Sequence, residues 1–309
     1  MVMDSGEDPA SSATDLTRLQ AALLSWYETN HRTFPWRETT DAYPILVSEV
    51  MSQQTQLDRV EDAWRAFLDR WPSTAALAAA DLADVVAFWT DHRLGYNNRA
   101  RYLHEAATMV ETDYDGVVPS DPAELQELPG VGPYTANAVA SFAFNNGGPV
   151  VDTNVKRVLY RLREDLREEE QPDFEAAAAA VFPADRSRTW NNAIMELGGV
   201  VCQKTPRCDE AGCPWREWCH AYQTGDFTAP DVPTQPDFEG SRRQFRGRVL
   251  AALREHGPLA LDRLGPRVRV DYAPESTGEG SREWLVDLIE DLAADGLVTV
   301  EDETVRLRR

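Results

Sequence analysis

Every cysteine of the chain falls in one eighteen-residue stretch, Cys202, Cys208, Cys213 and Cys219, with five, four and five residues between successive members. Four soft ligands on short loops can close one tetrahedral thiolate site or hold four irons and four sulfides. Zinc ribbons commonly use knuckles with about two to four residues between ligands. The wider intervals here put an iron–sulfur cluster ahead of zinc. A disulfide ranks last, because the sequence shows no secretory signal that would take it to an oxidising compartment.

A second segment with chemical potential is Leu128–Ala136, LPGVGPYTA, followed by the apolar run AVASFAF. A glycine-bearing turn that opens a helix offers the backbone N–H groups around Gly130, Val131 and Gly132 to an anion, and the helix dipole favours a phosphate there. An ordinary tight turn between helices is the plain alternative. Two carboxylates also stand in suggestive surroundings. Glu49 lies three and four residues from Leu46 and Ile45, beside the apolar stripe of its helix, where desolvation would raise its pKa and suit it to act as an acid. Asp152 follows Pro149-Val-Val and precedes Thr-Asn-Val-Lys-Arg-Val, the pattern of a helix N-cap.

These residues need helices to position them. From Asp15 to about Tyr222 the apolar residues recur at helical spacing, as in Leu19, Leu23, Leu24 and Trp26, or Trp64, Phe67 and Trp71, with Pro-containing separators and almost no strand-like alternation. The sequence predicts a mainly α protein. Residues 1–14 are acidic, small and aperiodic, as in a disordered terminus. Residues 15–223 form the main domain, with the cysteine loop at 202–219. A proline-bearing linker covers 224–240, and a small domain covers 241–309. The small domain has helical spacing at Val249, Leu250 and Leu253 and again at Trp284, Leu285, Leu288 and Leu292. A hairpin pattern then closes it, which together predict a winged-helix-like α/β module.

The chain has 309 residues, 42% of them hydrophobic, enough for a large core. It carries 52 acidic against 31 basic residues, a net charge of −21, and its lysines are Lys156 and Lys204. Such a surface stays hydrated in molar salt, where the Debye length is only about 3 Å. The composition therefore predicts a halophile's cytoplasm, and no apolar run reaches membrane-spanning length. So acidic a balance would ordinarily argue against a nucleic-acid ligand, an argument that weakens in molar salt.

LPGVGPYTA, VVDTNVKRV and the cysteine cluster together resemble the helix-hairpin-helix, iron–sulfur DNA glycosylases of the endonuclease III type. FPWRETTDAYPILVSEVMSQQTQ (34–56), RLGYNNRARYLHEAA (93–107) and NNAIMELGGVVC (191–202) make the chain most similar to the adenine glycosylases. The resemblance runs over roughly residues 15 to 222. It implies a two-lobed helix-hairpin-helix glycosylase fold with a C-terminal iron–sulfur loop, a [4Fe-4S] cofactor on the four cysteines, and excision of adenine mispaired with guanine or 8-oxoguanine. Breaking an N-glycosidic bond passes through an oxocarbenium-like sugar, which calls for an acid at the leaving base and an anion at the sugar. By resemblance Glu49 protonates adenine N7, Asp152 faces the sugar and Asn154 positions Asp152. Tyr134 stands where the strand-cutting relatives carry a Schiff-base lysine, implying a monofunctional enzyme. Trp36, Arg37 and Glu196 match the adenine pocket. Gln53, Gln54 and Thr55 match DNA-binding positions, and Gln54, Leu94 and Tyr96 match residues that wedge into the duplex, which supports base flipping. The implied partner is double-stranded DNA holding a mismatched adenine, bound by a cytoplasmic monomer.

The chain departs from the family pattern in its cysteine intervals, in Ser52, where an apolar wedge is common, and in Pro133, which replaces a basic hairpin residue and removes a donor. The segment after Ser241 is too short and too helical for the hydrolase-like domain with which the bacterial and eukaryotic members sense 8-oxoguanine. Its helix SREWLVDLIEDLAADG exposes Glu283, Asp287, Glu290 and Asp291, a face that repels phosphate. A protein-partner or stabilising role is expected for it. Two alternatives remain: a thymine or uracil mismatch glycosylase on the same scaffold, and a non-enzymatic DNA-binding regulator.

Overall fold

A computed structural model describes residues 13–53, 55, 57–231 and 237–308. Gln54, most of the expected N-terminal tail and the middle of the expected linker lie outside the described residues. Among the described residues the chain forms sixteen α-helices and three short strands, the mainly helical make-up that the periodicity predicts. None of the helices is long and apolar enough to cross a membrane.

In chain order the helices are α1 (Ala13–Asn30), α2 (Ala42–Ser52), α3 (Leu57–Arg70), α4 (Thr74–Ala78), α5 (Leu82–Asp91), α6 (Asn98–Asp113), α7 (Pro122–Glu127) and α8 (Pro133–Phe144). There follow α9 (Thr153–Leu162), α10 (Asp165–Glu168), α11 (Phe174–Val181), α12 (Ser187–Glu196) and α13 (His220–Thr224). The C-terminal segment adds α14 (Arg242–His256), β1 (Leu259–Ala260), α15 (Leu261–Val268), α16 (Arg282–Ala294), β2 (Val298–Glu301) and β3 (Thr304–Leu307). Many starts are capped as their sequences direct: Ser73, Asp81, Asp152, Asp173, Ser241 and Ser281 each accept a hydrogen bond from a backbone N–H in the first turn.

The chain divides into two compact units. The first comprises residues 1–45, 120–127 and 131–233. Its core gathers Leu19, Leu23 and Trp26 of α1, Val158, Leu159 and Leu162 of α9, and Trp190 and Ile194 of α12, with Trp215 and Trp218 from the cysteine loop. The apolar face of α8 is almost wholly buried, and α7 and α12 both pack on it. Where α12 ends, one π-helical turn at Leu197–Val201 carries the chain into Cys202, whose N–H closes on the Leu197 carbonyl at 2.8 Å.

The second unit comprises residues 46–119, 128–130 and 234–309. In it α6 packs on α4 and α5, around an aromatic group of Phe67, Trp71 and Phe88 with ring centroids 4.8–5.6 Å apart. The C-terminal helices α14, α15 and α16 enclose Val249, Leu250, Leu253, Leu285, Leu288 and Leu292, all buried. An antiparallel sheet in the order β1-β3-β2 closes them, with Val300 opposite Val305 and Leu259 opposite the same residue on the other side. Helix α14 also packs on α5, joined by an ion pair between Arg254 and Asp91.

Candidate functional site

Asp152 is the N-cap of α9. Its Oδ1 accepts from the Val155 N–H at 2.7 Å and its Oδ2 from the Asn154 side-chain amide at 2.9 Å. One carboxylate therefore serves as a helix cap and is held on both oxygens in one orientation. Asn154 is in turn fixed by Arg157, which donates to its Oδ1 at 2.7 Å and also to the carbonyls of Gly198 (2.9 Å) and Cys202 (2.6 Å). Burial lowers the pKa of the Arg157 guanidinium from its ordinary value. The approach is close: a Cβ on Gly198 would lie 2.7 Å from the Asn154 Cβ, which explains a glycine there. The segment leading into Asp152 is braced by fully buried Asn191, whose Oδ1 accepts from Val150 N–H while its amide donates to Ser141 and to the Gly148 carbonyl.

A second cluster surrounds Glu196, which is 0% exposed. Arg32 donates its backbone N–H and Nε to Oε1 at 3.0 and 2.7 Å and Nη2 to Oε2 at 3.1 Å, and Arg37 Nη2 reaches Oε2 at 2.9 Å. Burial pushes the Glu196 carboxyl up, but the hydrogen bonds and charges of the two arginines outweigh it and hold the pKa below its ordinary value. Both guanidiniums lie over the Phe34 ring, at 5.2 and 5.0 Å, and Phe34 stacks on buried Trp36 at 5.0 Å with the planes 4° apart. A cavity of ≈ 190 Å³ opens beside them, lined by Tyr27, Phe34, Arg37 and Arg188 among others. Arg37 and Glu196 are thus joined directly, and Trp36 adjoins them through Phe34. Arg32 and Phe34, which complete the cluster, carry no signal in the sequence beyond lying next to the PWR segment.

A third group collects the expected DNA-facing residues of the second unit. Thr55 Oγ1 donates to the Leu94 carbonyl at 3.1 Å, and Arg99, buried, donates to the Gln53 carbonyl. Burial brings the Arg99 guanidinium down to about 10 despite the nearby Tyr96 phenol. A cavity of ≈ 180 Å³ is lined by Val50, Gln53, Tyr96, Asn98, Arg99, Tyr102, Pro129 and Gly130. Gly130 has φ +77°, and a Cβ there would stand 2.6 Å from Tyr102 Cβ, so the turn admits glycine on both grounds. Val131 is buried, Gly132 is the N-cap of α8, and Pro133 occupies that helix's first turn, where a missing N–H costs least. Tyr134 follows, half-buried. Leu94 is the departure: it is 2% exposed. An apolar side chain at this point of the loop gains more by joining the core than by facing water.

Glu49 lies on α2 at 9% exposure, among buried Ile45, Leu46, Val50 and Met51, the apolar setting that its spacing predicts.

Two of the four cysteines touch Arg161, whose side chain is buried. This guanidinium donates to Cys202 Sγ at 3.4 Å and to the carbonyls of Gln203, Lys204 and Phe227, while the Cys219 thiol donates to the Arg161 carbonyl at 3.2 Å. A hydrogen bond from the Cys213 thiol holds Cys208 down at about 7, whereas burial raises Cys202 and takes Cys219 to about 11. Trp215 Nε1 pins the loop to the Leu19 carbonyl of α1 at 2.9 Å. Among the described residues no three His, Cys, Asp or Glu side chains are gathered as they would be round a single metal ion. The donor chemistry, four thiols on one loop, is of the kind that would hold an iron–sulfur cluster.

The HhH-GPD superfamily of base excision DNA repair proteins matches residues 47–183. The chain is 40% identical over 291 residues to an adenine DNA glycosylase of Mycobacterium tuberculosis, covering 90% of this chain and 89% of that protein. It is 39% identical over 224 residues to the adenine DNA glycosylase of Homo sapiens, covering 68% of this chain and 40% of that protein. The mycobacterial match is long enough to include part of the segment beyond Ser241. Among solved structures, a thermostable thymine-DNA glycosylase superposes with a TM-score of 0.62 at 27% identity, over 69% of this chain and all of that one. A trapped endonuclease III–DNA intermediate gives 0.58 at 23% identity over 69% of this chain and 98% of that one, a likeness of fold.

Proposed function

Since the chain belongs to the adenine DNA glycosylases of the HhH-GPD superfamily, we propose that it flips an adenine mispaired with guanine or 8-oxoguanine out of duplex DNA and hydrolyses its glycosidic bond without cutting the strand. The observation that carries this reading is the Asp152 carboxylate, fixed on both oxygens at 2.7 and 2.9 Å at the N-terminus of α9. A carboxylate so held stabilises the cationic sugar without having to reorganise during the reaction.

Glu49 supplies the proton to adenine N7, so the base leaves neutral as the electrons of the C1′–N9 bond pass to it. Asp152 stabilises the sugar cation that remains, and water adds at C1′, releasing a proton. Asn154 keeps Asp152 in register. The arginine-bound Glu196 with Arg37 and Trp36 forms an aromatic and charged wall for the purine. Gln53, Thr55 and the turn at Gly130, Val131 and Gly132 meet the backbone, and Tyr96 wedges beside the opposite base. Tyr134 has no amine, so no Schiff base forms at that position. Cys202, Cys208, Cys213 and Cys219 would hold a [4Fe-4S] cluster, which would serve as a structural cross-link for the loop that Arg157 joins to Asn154.

The C-terminal helices and sheet, in the order helix, strand, two helices, two strands, support the reading of a winged-helix-like module. Its acidic α16 is partly neutralised from within, since Arg242 binds Asp291, and Arg246 binds Asp295 just past its end. That pairing and the packing of α14 on α5 support a stabilising role over sequence readout.

The test is a single-turnover cleavage panel on A·G, A·8-oxoG, T·G and U·G duplexes in molar KCl. Release of adenine from the first two, with breaks only after alkali, is the expected outcome. Release of thymine or uracil alone would give the chain the pyrimidine specificity instead.

A further inference from the structure

The loop that carries Tyr96 is held in an unusual conformation. Arg93, Gly95 and Tyr96 all have positive φ, at 52°, 71° and 46°. Gly95 adopts this freely, but an aromatic residue there is strained and persists only where its surroundings over-determine it. Two ties are local. Trp89 Nε1 donates to the Gly95 carbonyl at 2.7 Å, and Arg99 donates its N–H to the Tyr96 carbonyl at 2.9 Å with its guanidinium 4.5 Å from the Tyr96 ring.

A third tie comes from far along the chain. Arg243, in the first turn of α14, donates Nη1 to the Tyr96 hydroxyl at 3.0 Å, and its guanidinium stands 5.4 Å from the Tyr96 ring centroid. The same guanidinium lies 5.2 Å from the ring of Phe238, a residue 54% exposed. Other arginines of α14 hold different partners: Arg242 binds Asp291 of α16, Arg246 binds Asp295 just past it, Arg248 the Val268 carbonyl and Arg254 Asp91 of α5. Arg243 instead reaches out to the loop. A planar guanidinium that both hydrogen-bonds a phenol and lies against its ring restricts the ring's rotation and tilt, which a point charge on a flexible stem does not.

We propose that Arg243 is a positioning residue for Tyr96, so that the C-terminal domain sets the aim of the side chain that wedges into the duplex. The proposal rests on the reading of Tyr96 as that wedge. A pre-aimed ring loses less conformational entropy on insertion than a free one. Arg243 also brings a cation to the wedge of a chain whose net charge is −21, where phosphate would otherwise meet little attraction.

The experiment uses the full chain and duplexes with adenine opposite guanine or 8-oxoguanine, carrying 2-aminopurine stacked next to that opposite base. Wedge insertion unstacks the probe and raises its fluorescence. Arg243→Ala is expected to cut the fluorescence rise and weaken mismatch binding by about tenfold, the scale of one lost charged hydrogen bond. Arg243→Lys restores only part of it. Tyr96→Phe, which removes a single oxygen, gives a smaller loss, and the double variant falls no further than Arg243→Ala. Thermal melting identifies a variant that fails to fold; should Arg243→Ala fail, Tyr96→Phe alone must reduce the fluorescence rise. A wild-type fluorescence rise in Arg243→Ala or Tyr96→Phe, or fully additive losses, would overturn the proposal while leaving adenine excision intact. A wild-type chain that releases adenine from neither duplex would instead sink the functional reading, and this proposal with it.

Discussion

Asp152 offers the sharpest separation of a structural role from a chemical one. Its Oδ1 caps α9 through the Val155 N–H and its Oδ2 takes the Asn154 amide. Asp152→Asn keeps an oxygen for the cap, and Asp152→Ser keeps a hydroxyl able to cap. Asp152→Ala keeps neither and is expected to cost about 0.5–2 kcal/mol of stability. All three remove the charge. A carboxylate about 4 Å from a unit cation, at an effective dielectric of about 20, stabilises it by on the order of 4 kcal/mol. That corresponds to roughly a thousandfold in rate. Single-turnover excision is therefore expected to fall by about that factor in all three variants, while duplex binding stays within a few-fold. Thermal melting is expected to rank them with alanine lowest and the other two near wild type. Excision by Asp152→Asn within about tenfold of wild type, in a protein that melts normally, would refute the electrostatic role and leave Asp152 as a cap.

Glu49→Gln is expected to abolish adenine release with duplex binding retained, since an amide has no proton to give; an active variant would remove Glu49 from the mechanism. The wild type is expected to leave abasic sites that borohydride cannot trap, and Tyr134→Lys to gain a trappable adduct; an adduct in the wild type would point to Lys156 or Lys204 as a nucleophile. The purified protein is expected to be brown, with about four irons per chain, and Cys208→Ser to lose most of that iron; a colourless protein with one zinc would reverse the assignment. Glu196, held below its ordinary pKa chiefly by Arg32 and Arg37 against the opposing effect of burial, stabilises the fold fully above the ordinary glutamate range, and that contribution is lost as pH falls through its depressed folded value. Removing one partner of a buried pair costs about 3–5 kcal/mol. Arg32 is 42% exposed, so solvent recovers part of that, and Glu196→Gln is expected to cost about 2–3 kcal/mol at neutral pH. The gap between variant and wild type in urea unfolding is expected to narrow in acid, and a constant gap down to about pH 3 would contradict the pairing.

What the sequence by itself determined is what short-range chemistry encodes. The cysteines are held within one loop by their spacing, Asp152 caps the helix it begins, the glycine turn opens α8, and apolar periodicity marks helices throughout and sets Glu49 against a buried stripe. Each depends on residues a few positions apart, so local geometry suffices. What the tertiary structure decided are the partners of the charges. Arg32 meets Glu196 across 164 positions, and Arg243 meets Tyr96 across 147. Asn191 braces Val150, and Arg161 gathers the cysteine loop to the Phe227 carbonyl. In a chain with 31 basic and 52 acidic residues, almost any arginine has a plausible carboxylate by composition alone, and only packing selects one. The acidic face of α16 illustrates this, since in sequence it reads as unneutralised charge until α14 is laid against it. Leu94 shows the converse. Its match to wedge positions is a property of the loop segment, whereas its burial, at 2% exposed, is set by the packing around it.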